Sequence, residues 1–455
     1  MKTVWETYEN ETREKMEAFA NEYRAFLNRA KTEREFVRES VKLAEAKGFR
    51  NIRDTKGPWK AGEKLYAVNR GKNVVLYVIG EKPLHEGINI LGAHIDSPRM
   101  DLKQNPLYEK DGFALFDTHY YGGIKKYQWV ARPMALHGVV ALKDGSVVDV
   151  VIGEDEDDPV VGVSDILVHL AAKQMQKKAS EAIEGEQLNL LVGSIPAKDV
   201  KKDPVKQYLL DLLKAKYGIE EADFISAELE AVPADKARNF GIDNSMIMAY
   251  GQDDKICAYA ILRAITDLET PKRTACVILV DKEEIGSVGA TGMESRWFEN
   301  TIIELLAGEG QADLVTLNET LSNSRMLSSD VSAGLDPNYA EMFEPKNAAY
   351  LGRGICFNKY TGARGKSRAN DANAEYVAKL RRIMDEDHIV WQTAEIGKVD
   401  EGGGGTISFI LARMNMDVID AGIAVLNMHA PCEISSKADL YEGYRAYIAF
   451  LAHMD

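Results

Sequence analysis

The sequence predicts an α/β protein in which a mostly parallel sheet is flanked by helices, with a β-rich segment inserted into it. Apolar runs such as KNVVLYVIG at 72–80 and TACVILVD at 274–281 are typical of buried strands. Segments with apolar residues at helical spacing alternate with these runs, as in parallel sheets covered on both faces. Between residue 99 and about residue 235 the alternation stops, which indicates the insertion.

The first part of the α/β domain is predicted over residues 1–98. Residues 4 to about 47 have the apolar spacing of helices, and Gly48 ends the last of them. Strands follow, one of them in INILGAHID at 88–96, which ends in a His-x-Asp turn.

The inserted segment is predicted over residues 99–235. Strand-forming composition occurs in YQWVARPMALHGVVAL at 127–142 and in GSVVDVVIG at 145–153. Helical spacing then returns in HLAAKQMQKKASEAIEG at 169–185 and in DPVKQYLLDLLKAKYG at 203–218. We therefore expect a domain of strands with two helices.

The α/β pattern resumes over residues 236–455. The helix predicted at 255–269 leads to the buried strand at 274–281, and a further strand lies within 415–429. A last helix is predicted over 435–454.

Composition favours a cytoplasmic protein that acts on neither nucleic acid nor membrane. The 455 residues carry a net charge of −15, which opposes binding to anionic polymers and anionic lipid surfaces. The first residues are charged and lack the apolar core of a signal peptide, and no apolar run is long enough to span a bilayer. The four cysteines form no CxxC pair and lie in or beside apolar stretches, as expected in a reducing compartment.

Histidines and carboxylates stand at the ends of the predicted strands or at the start of the helix at 255–269. Because ligands of open α/β sheets bind at the carboxyl ends of the strands, these side chains are expected to face one crevice. The set comprises His94, Asp96, Asp253, Asp254, Glu283, Glu284, Asp330 and His429.

This residue chemistry predicts a site for two divalent metal ions. Imidazole and carboxylate ligands without thiolate suit zinc, with cobalt or manganese as alternatives. Five ligands exceed the three that hold a single catalytic zinc, but they fit two metals about 3.5–4 Å apart that share one carboxylate.

The adjacent glutamates, Glu283 and Glu284, are expected to have different roles. Neighbouring residues of an extended chain point in opposite directions, so one carboxylate can hold a metal while the other serves as general base. Asp96, two residues after His94, is placed to fix the imidazole tautomer. Each signal alone has a structural alternative: paired glutamates are commonly solvated, and an Asp-Asp pair before a helix is commonly a cap.

Five motifs, in this order, make the chain resemble the di-zinc aminopeptidases, most closely the bacterial branch of the aspartyl aminopeptidase family. They are GAHIDSPRMDLK, GIDNSMIMAYGQDDKICAYA, VDKEEIGSVGATG, SSDVSAGLDPNY and LNMHAPCEISS. The resemblance covers nearly the whole chain. It implies a zinc-peptidase-like fold and a hydrolase that removes N-terminal residues, with preference for Asp or Glu.

The resemblance also implies roles for individual residues. His94 and Asp330 would hold one metal, Glu284 and His429 the other, and Asp253 would bridge them. Glu283 would be the general base, Asp96 would orient the first histidine, and a cis peptide bond would follow Asp253.

The family further implies that the inserted domain forms dimers and that the dimers assemble into a twelve-subunit shell. His169 matches a histidine that completes the site of the neighbouring subunit; the alternative is a histidine packed in an interface. The basic segment NKYTGARGKSRANDA at 358–372 is expected to read the acidic substrate through Lys359, Arg364, Lys366 and Arg368, unless it is a solvated loop. The glycines at 402–405 are expected near the substrate backbone.

Two other classes of function stay open on the sequence. One is a neutral aminopeptidase of the leucyl or glutamyl type, or a carboxypeptidase or deacylase, on the same scaffold. The other is a non-catalytic, shell-forming scaffold, although such a protein has no chemical need for an intact set of ligands and a base.

Overall fold

The computed structural model describes residues 3–362, 364–367 and 369–455. Contacts divide the chain into two compact units, each described by itself below. The first unit comprises Met1–Asp96, Ala237–Met428 and Glu433–Asp455, and the second comprises Ser97–Lys236 and His429–Cys432.

Helices and strands are numbered here in chain order. The α-helices are α1 (Val4–Thr7), α2 (Asn10–Leu27), α3 (Glu33–Ala46), α4 (Ala179–Ala182), α5 (Pro204–Tyr217), α6 (Gln252–Asp267), α7 (Trp297–Gly308), α8 (Leu314–Ser322), α9 (Ala374–Glu386), α10 (Ser408–Ala412) and α11 (Lys437–His453). The strands are β1 (Arg50–Asn51), β2 (Lys64–Asn69), β3 (Asn73–Val78), β4 (Asn89–His94), β5 (Arg99–Lys110), β6 (Phe113–Tyr121), β7 (Met134–Ala141), β8 (Val147–Ile152), β9 (Leu190–Gly193), β10 (Ala227–Pro233), β11 (Arg238–Phe240), β12 (Met246–Ala249), β13 (Ala275–Val280), β14 (Arg325–Ser328), β15 (Ser332–Ala333), β16 (Ile355–Asn358), β17 (Trp391–Thr393), β18 (Asp417–Gly422), β19 (Ala424–Leu426) and β20 (Glu433–Ser436).

The first unit is built on a nine-stranded sheet in the order β1-β2-β3-β13-β4-β14-β18-β16-β17. Its centre is parallel, since β13, β4, β14 and β18 all run in the same direction. Antiparallel pairs join β2 to β3, β3 to β13 and β16 to β18, so the sheet as a whole is mixed. A separate five-stranded sheet has the order β11-β12-β20-β19-β15.

Successive side chains of the central strands enter two different hydrophobic cores, one on each face of the sheet. In β3, Leu76 and Val78 belong to one core, whereas Val75 and Tyr77 belong to the other. Helices α6 and α11 pack into the first core, and α7 and α8 into the second. This arrangement confirms the predicted α/β class and explains why the strands are continuously apolar rather than alternating.

The second unit is organised around a six-stranded sheet in the order β8-β7-β10-β5-β6-β9. Every pair of neighbours in it is antiparallel. The helix predicted at 203–218 is present as α5, with a proline at its first position and Gly218 in the left-handed conformation after its last residue.

The prediction of a helix at 169–185 was wrong. The structure has single turns at Val168–Leu170 and Gln174–Gln176 and the four-residue helix α4 there. Apolar spacing stabilises a helix only when the apolar face is covered. Here Val168, Leu170 and Met175 are 74%, 68% and 76% exposed, so the described residues of this chain do not cover the apolar face that such a helix would need.

The four cysteines are free thiols; three are buried, and Cys432 is half-buried. No helix in the described part of the chain combines the length and the apolar character that crossing a membrane requires.

Candidate metal centre

Strand register brings the predicted site residues of the first unit to one edge of the nine-stranded sheet. His94 is the last residue of β4 and pairs with Val280, the last residue of β13. Glu283 and Glu284 are the third and fourth residues after β13, and Asp330 comes two residues after β14. Because β13, β4 and β14 are adjacent and parallel, their carboxyl ends open at the same place.

His94 is at the centre of this group. It is 2% exposed, and its Nε2 lies 3.2 Å from Oδ1 of Asp253. The same nitrogen lies 4.0 Å from Oε2 of Glu283 and 4.0 Å from Oδ1 of Asp330. Carboxylate oxygens of Asp253, Glu283 and Asp330 therefore lie around one ring nitrogen of His94.

Two sets of donor atoms could each hold a metal ion. One consists of His94, Glu283 and Asp330, and the other of His94, Asp253 and Glu284, with ligand atoms within 4.8 Å of one another in each. Asp253 begins the turn into α6, and its peptide bond to Asp254 is cis, as the resemblance implies. Its backbone N–H donates to Oε2 of Glu433 at 2.9 Å.

The imidazole tautomer supports a cation at this position. Nδ1 of His94 lies 3.0 Å from the carbonyl oxygen of Asp96, which can only accept, so Nδ1 carries the proton. Nε2 then bears a lone pair that points at a carboxylate oxygen of Asp253. Two acceptors in contact repel each other unless a metal ion or a proton lies between them, so the residues present fit a divalent metal.

Electrostatics leads to the same conclusion. Burial raises the pKa of Asp330 well above its usual value, and the charges of Asp254 and Glu283 raise it further, against the opposing effect of His94. Burial alone would lower the pKa of His94, but the nearby carboxylates of Asp253 and Asp96 raise it well above the ordinary range, since they favour a positive charge at the imidazole. Crowded carboxylates of this kind are tolerated in a protein interior when a cation neutralises them.

Asp96 makes contacts beyond the predicted one with the imidazole. Its Oδ1 lies 3.3 Å from Nδ1 of His94. Its two carboxylate oxygens also accept the backbone N–H groups of Glu283 and Glu284, each at 3.2 Å. One buried carboxylate therefore contacts both the first histidine and the glutamate pair.

The two predicted histidines outside the first unit have different surroundings. His429 belongs to the second unit, has φ of 65°, and its Nδ1–H donates to the carbonyl oxygen of Gly123 at 2.8 Å. Its Nε2 consequently bears the lone pair that a metal ligand needs. His169 lies on the exposed turn Val168–Leu170.

Two lysines of the basic segment after β16 form ion pairs with one acidic residue. Lys359 and Lys366 lie 3.3 Å and 3.0 Å from the carboxylate of Asp371. The Nζ of Lys366 also lies 3.9 Å from the ring centre of Tyr360. Arg368 lies outside the described residues.

A cavity of about 110 Å³ brings the basic segment and the glycine-rich segment together. Arg364 and Lys366 line it on one side and Gly402 and Gly403 on the other. The N–H of Gly404 donates to the carbonyl oxygen of Thr361 at 3.0 Å, which joins the two segments directly.

Two buried residues that contact this site escaped the sequence reasoning. Glu433, which accepts the backbone N–H of Asp253, begins β20, whereas the sequence reasoning considered the carboxyl ends of strands. Asn73 contacts the segment that follows Glu284, and it is one of many asparagines at turns. Nothing in the local pattern of either residue distinguishes it from a structural polar residue.

Comparison with known proteins identifies the family. The model of the Aminopeptidase I zinc metalloprotease (M18) family matches residues 26–451. A probable M18 family aminopeptidase 1 of Clostridium acetobutylicum is 57% identical over 99% of this chain and 98% of its own, and one of Thermotoga maritima is 45% identical over 98% and 97%.

Solved structures agree with that assignment. The crystal structure of an M18 aminopeptidase from Thermotoga maritima superposes with a TM-score of 0.95 at 45% identity, covering 99% of this chain and 98% of that one. Aminopeptidase I from Clostridium acetobutylicum gives 0.93 at 55% identity, with 99% of both chains covered. The predicted hydrolase class, aminopeptidase activity and zinc cofactor are confirmed, and the chain belongs to the M18 family of zinc aminopeptidases.

Proposed function

We propose that this aminopeptidase removes acidic N-terminal residues, Asp or Glu, from peptides at a two-zinc centre. In this proposal His94 and Asp330 hold one zinc, Glu284 and His429 hold the other, and Asp253 bridges them. The observation that carries it is the pair of donor sets that share His94 at the carboxyl edge of the sheet. Zinc bound there would polarise the scissile carbonyl and acidify water.

Glu283 is the general base in this proposal. Its side chain is 17% exposed and lies 4.0 Å from Nε2 of His94, so it is beside the metal ligands and still reaches water. The carboxylate takes a proton from the attacking water and delivers it to the amine that leaves. Asp96 supports both the metal ligand and the general base, because it contacts the His94 ring and accepts the backbone N–H of Glu283.

The charge of the basic segment supports the acidic preference. Lys359 and Lys366 share the single carboxylate of Asp371, so one positive charge of the trio is not compensated within it. The segment begins at Asn358, whose Oδ1 accepts the hydroxyl of Ser332, two residues after Asp330. An ammonium group next to the site can form a charge-assisted bond with a substrate carboxylate. Arg368 is proposed to add to this charge.

The substrate proposal is tested by hydrolysis of Asp-, Glu-, Leu- and Lys-anilides with added zinc and with chelator. We expect chelator-sensitive cleavage with the highest kcat/KM on the acidic anilides. Lys366→Glu should reduce kcat/KM on Asp-anilide by about tenfold or more, since an attraction becomes a repulsion, and should leave Leu-anilide within about twofold. Preference of the unmodified enzyme for Leu or Lys would refute the acidic pocket and keep the aminopeptidase.

The inserted domain, which the sequence predicts over residues 99–235, is proposed to form dimers. These dimers are proposed to assemble further. The support is the exposed apolar segment from Ile166 to Met175, which includes Leu167, Val168 and Leu170. Contiguous apolar surface of this kind is typical of a protein interface. His169 lies within the segment and is proposed to reach the site of the neighbouring copy. The four free thiols support a cytoplasmic location.

A further inference from the structure

The glutamate loop, residues 281–292, carries Glu283 and Glu284 between β13 and the turn that precedes α7. Asp96 holds the first half of the loop, because its carboxylate accepts the backbone N–H groups of both glutamates. That contact fixes where the backbone of the pair lies, but it does not fix the returning half of the loop.

The loop has a strained and closely packed backbone. Lys282 and Ser287 have φ of 70° and 60°, and the N–H of Ser287 donates to the carbonyl oxygen of Lys282 at 2.7 Å. A Cβ added at Gly292 would lie 2.0 Å from the carbonyl oxygen of Ser287. A conformation of this kind persists only when its surroundings over-determine it.

The returning half is held by the hairpin between β2 and β3. Asn73 donates from Nδ2 to the carbonyl oxygen of Thr291 at 2.5 Å, and Asn69 donates to that of Ala290 at 2.8 Å. The two asparagines face each other as the last pair of the hairpin and are 1% and 6% exposed.

Hydrogen bonds between Thr291 and Asp281 join the two ends of the glutamate loop. The hydroxyl of Thr291 donates to Oδ2 of Asp281 at 2.7 Å, and the N–H of Asp281 lies 3.3 Å from the carbonyl oxygen of Thr291. A shift of Thr291 is therefore transmitted to Asp281, two residues before Glu283. Small displacements of a catalytic group are costly, and about 1 Å can reduce a rate by about 100-fold.

We propose that Asn73, assisted by Asn69, is a positioning residue for this reaction: it holds the glutamate loop so that Glu283 keeps its place beside the metal ligands. The inference rests on the proposed roles of Glu283 and Glu284. It predicts an effect on kcat rather than on KM, because both asparagines are buried and act on the backbone of the loop.

The test compares Asn73→Ala with a matched control, Asn89→Ala. Asn89 is also fully buried and also donates from Nδ2 to a backbone carbonyl, that of Met454 at 2.9 Å, but at the amino-terminal end of β4. We expect Asn73→Ala to lower kcat by about 10- to 100-fold with KM within about twofold and zinc content unchanged. Asn89→Ala should keep kcat within about twofold while its thermal stability falls comparably.

Hydrogen–deuterium exchange of the zinc-free proteins gives a readout independent of activity. Peptides covering 281–292 should exchange faster in Asn73→Ala and at the wild-type rate in Asn89→Ala. Should Asn73→Ala fail to fold, Asn69→Ala provides the same comparison, because it releases the neighbouring carbonyl.

Glu283→Gln, measured in parallel, distinguishes the positioning role of Asn73 from the proposed general base. If it loses activity while Asn73→Ala keeps the wild-type kcat and loop exchange, the positioning role is overturned and the general base stands. Equal losses of kcat in Asn73→Ala and Asn89→Ala would also overturn it, since both would then reflect stability. Full activity of Glu283→Gln would instead overturn the proposed general base, on which this inference rests.

Discussion

At the scale of single residues, the adjacent Glu283 and Glu284 are proposed to have separate roles, one as the general base and the other as a metal ligand. Replacing Glu283 with Gln removes the proton acceptor but keeps the shape and the backbone contact with Asp96. We expect kcat to fall by about 10²- to 10⁴-fold while zinc content, measured by atomic absorption, stays at the wild-type level. Wild-type turnover in this variant would refute the role of Glu283.

His94 belongs to both donor sets and is proposed to hold one zinc, which shares Asp253 with the other. His94→Ala should lose zinc and activity together, because it removes the imidazole that both donor sets contain. The matched control is His453→Ala, since His453 is 55% exposed at the end of α11 and pairs with Asp387. Full zinc occupancy of His94→Ala would contradict the ligand assignment.

At the scale of elements, the first turn of α11 joins the helix to the segment before β16 through Asp439. Its carboxylate accepts the N–H groups of Gly352 and Gly354 at 2.6 and 2.7 Å. Burial raises the pKa of Asp439 to about 7, although these two bonds oppose the shift.

This shift has a definite sign for stability. The unfolded chain releases the proton near pH 4, whereas the folded protein keeps it to about pH 7, so the contribution of Asp439 is present at low pH and lost as pH rises through that window. The loss amounts to at most about 4 kcal/mol. Thermal unfolding midpoints should fall between pH 5 and pH 7, and Asp439→Asn should flatten that decline because an amide does not titrate.

Asp313 offers a matched control for this slope. It caps α8 from an exposed position, and its pKa is lowered by hydrogen bonds from the hydroxyl and backbone N–H of Thr316, so it stays charged from pH 5 to pH 8. Asp313→Asn should keep the wild-type slope, because asparagine also caps a helix and Asp313 does not change its charge in this range. An unchanged slope in Asp439→Asn would show that Asp439 does not titrate in this range.

At the scale of the whole molecule, the proposed assembly depends on the exposed apolar segment of the second unit. Leu170→Asp places a charge in that segment, so it should shift the protein to smaller species in size-exclusion chromatography with light scattering. Leu314→Asp is the control, since Leu314 is equally exposed, at 68%, in the first unit. An unchanged mass for Leu170→Asp would remove the segment from the interface.

The sequence by itself determined the α/β class, the zinc aminopeptidase family and the chemistry of the site. Apolar runs identify buried strands because a strand covered on both faces is apolar along its length, as β13 and residues 74–78 of β3 are. Residues such as His94 and Glu284 were predicted as site residues because they stand at or shortly after the ends of such runs. These signals are local, and they need only a few neighbouring residues to be read.

Only the tertiary structure decided which groups hold the site together. The bond between Asn73 and Thr291 joins residues 218 positions apart, and it depends on β3 pairing with β13. The contact between Asp96 and the glutamate pair likewise requires β4 beside β13. The missing helix at 169–185 has the same origin, because apolar spacing indicates which face could be buried, whereas packing decides whether anything covers it.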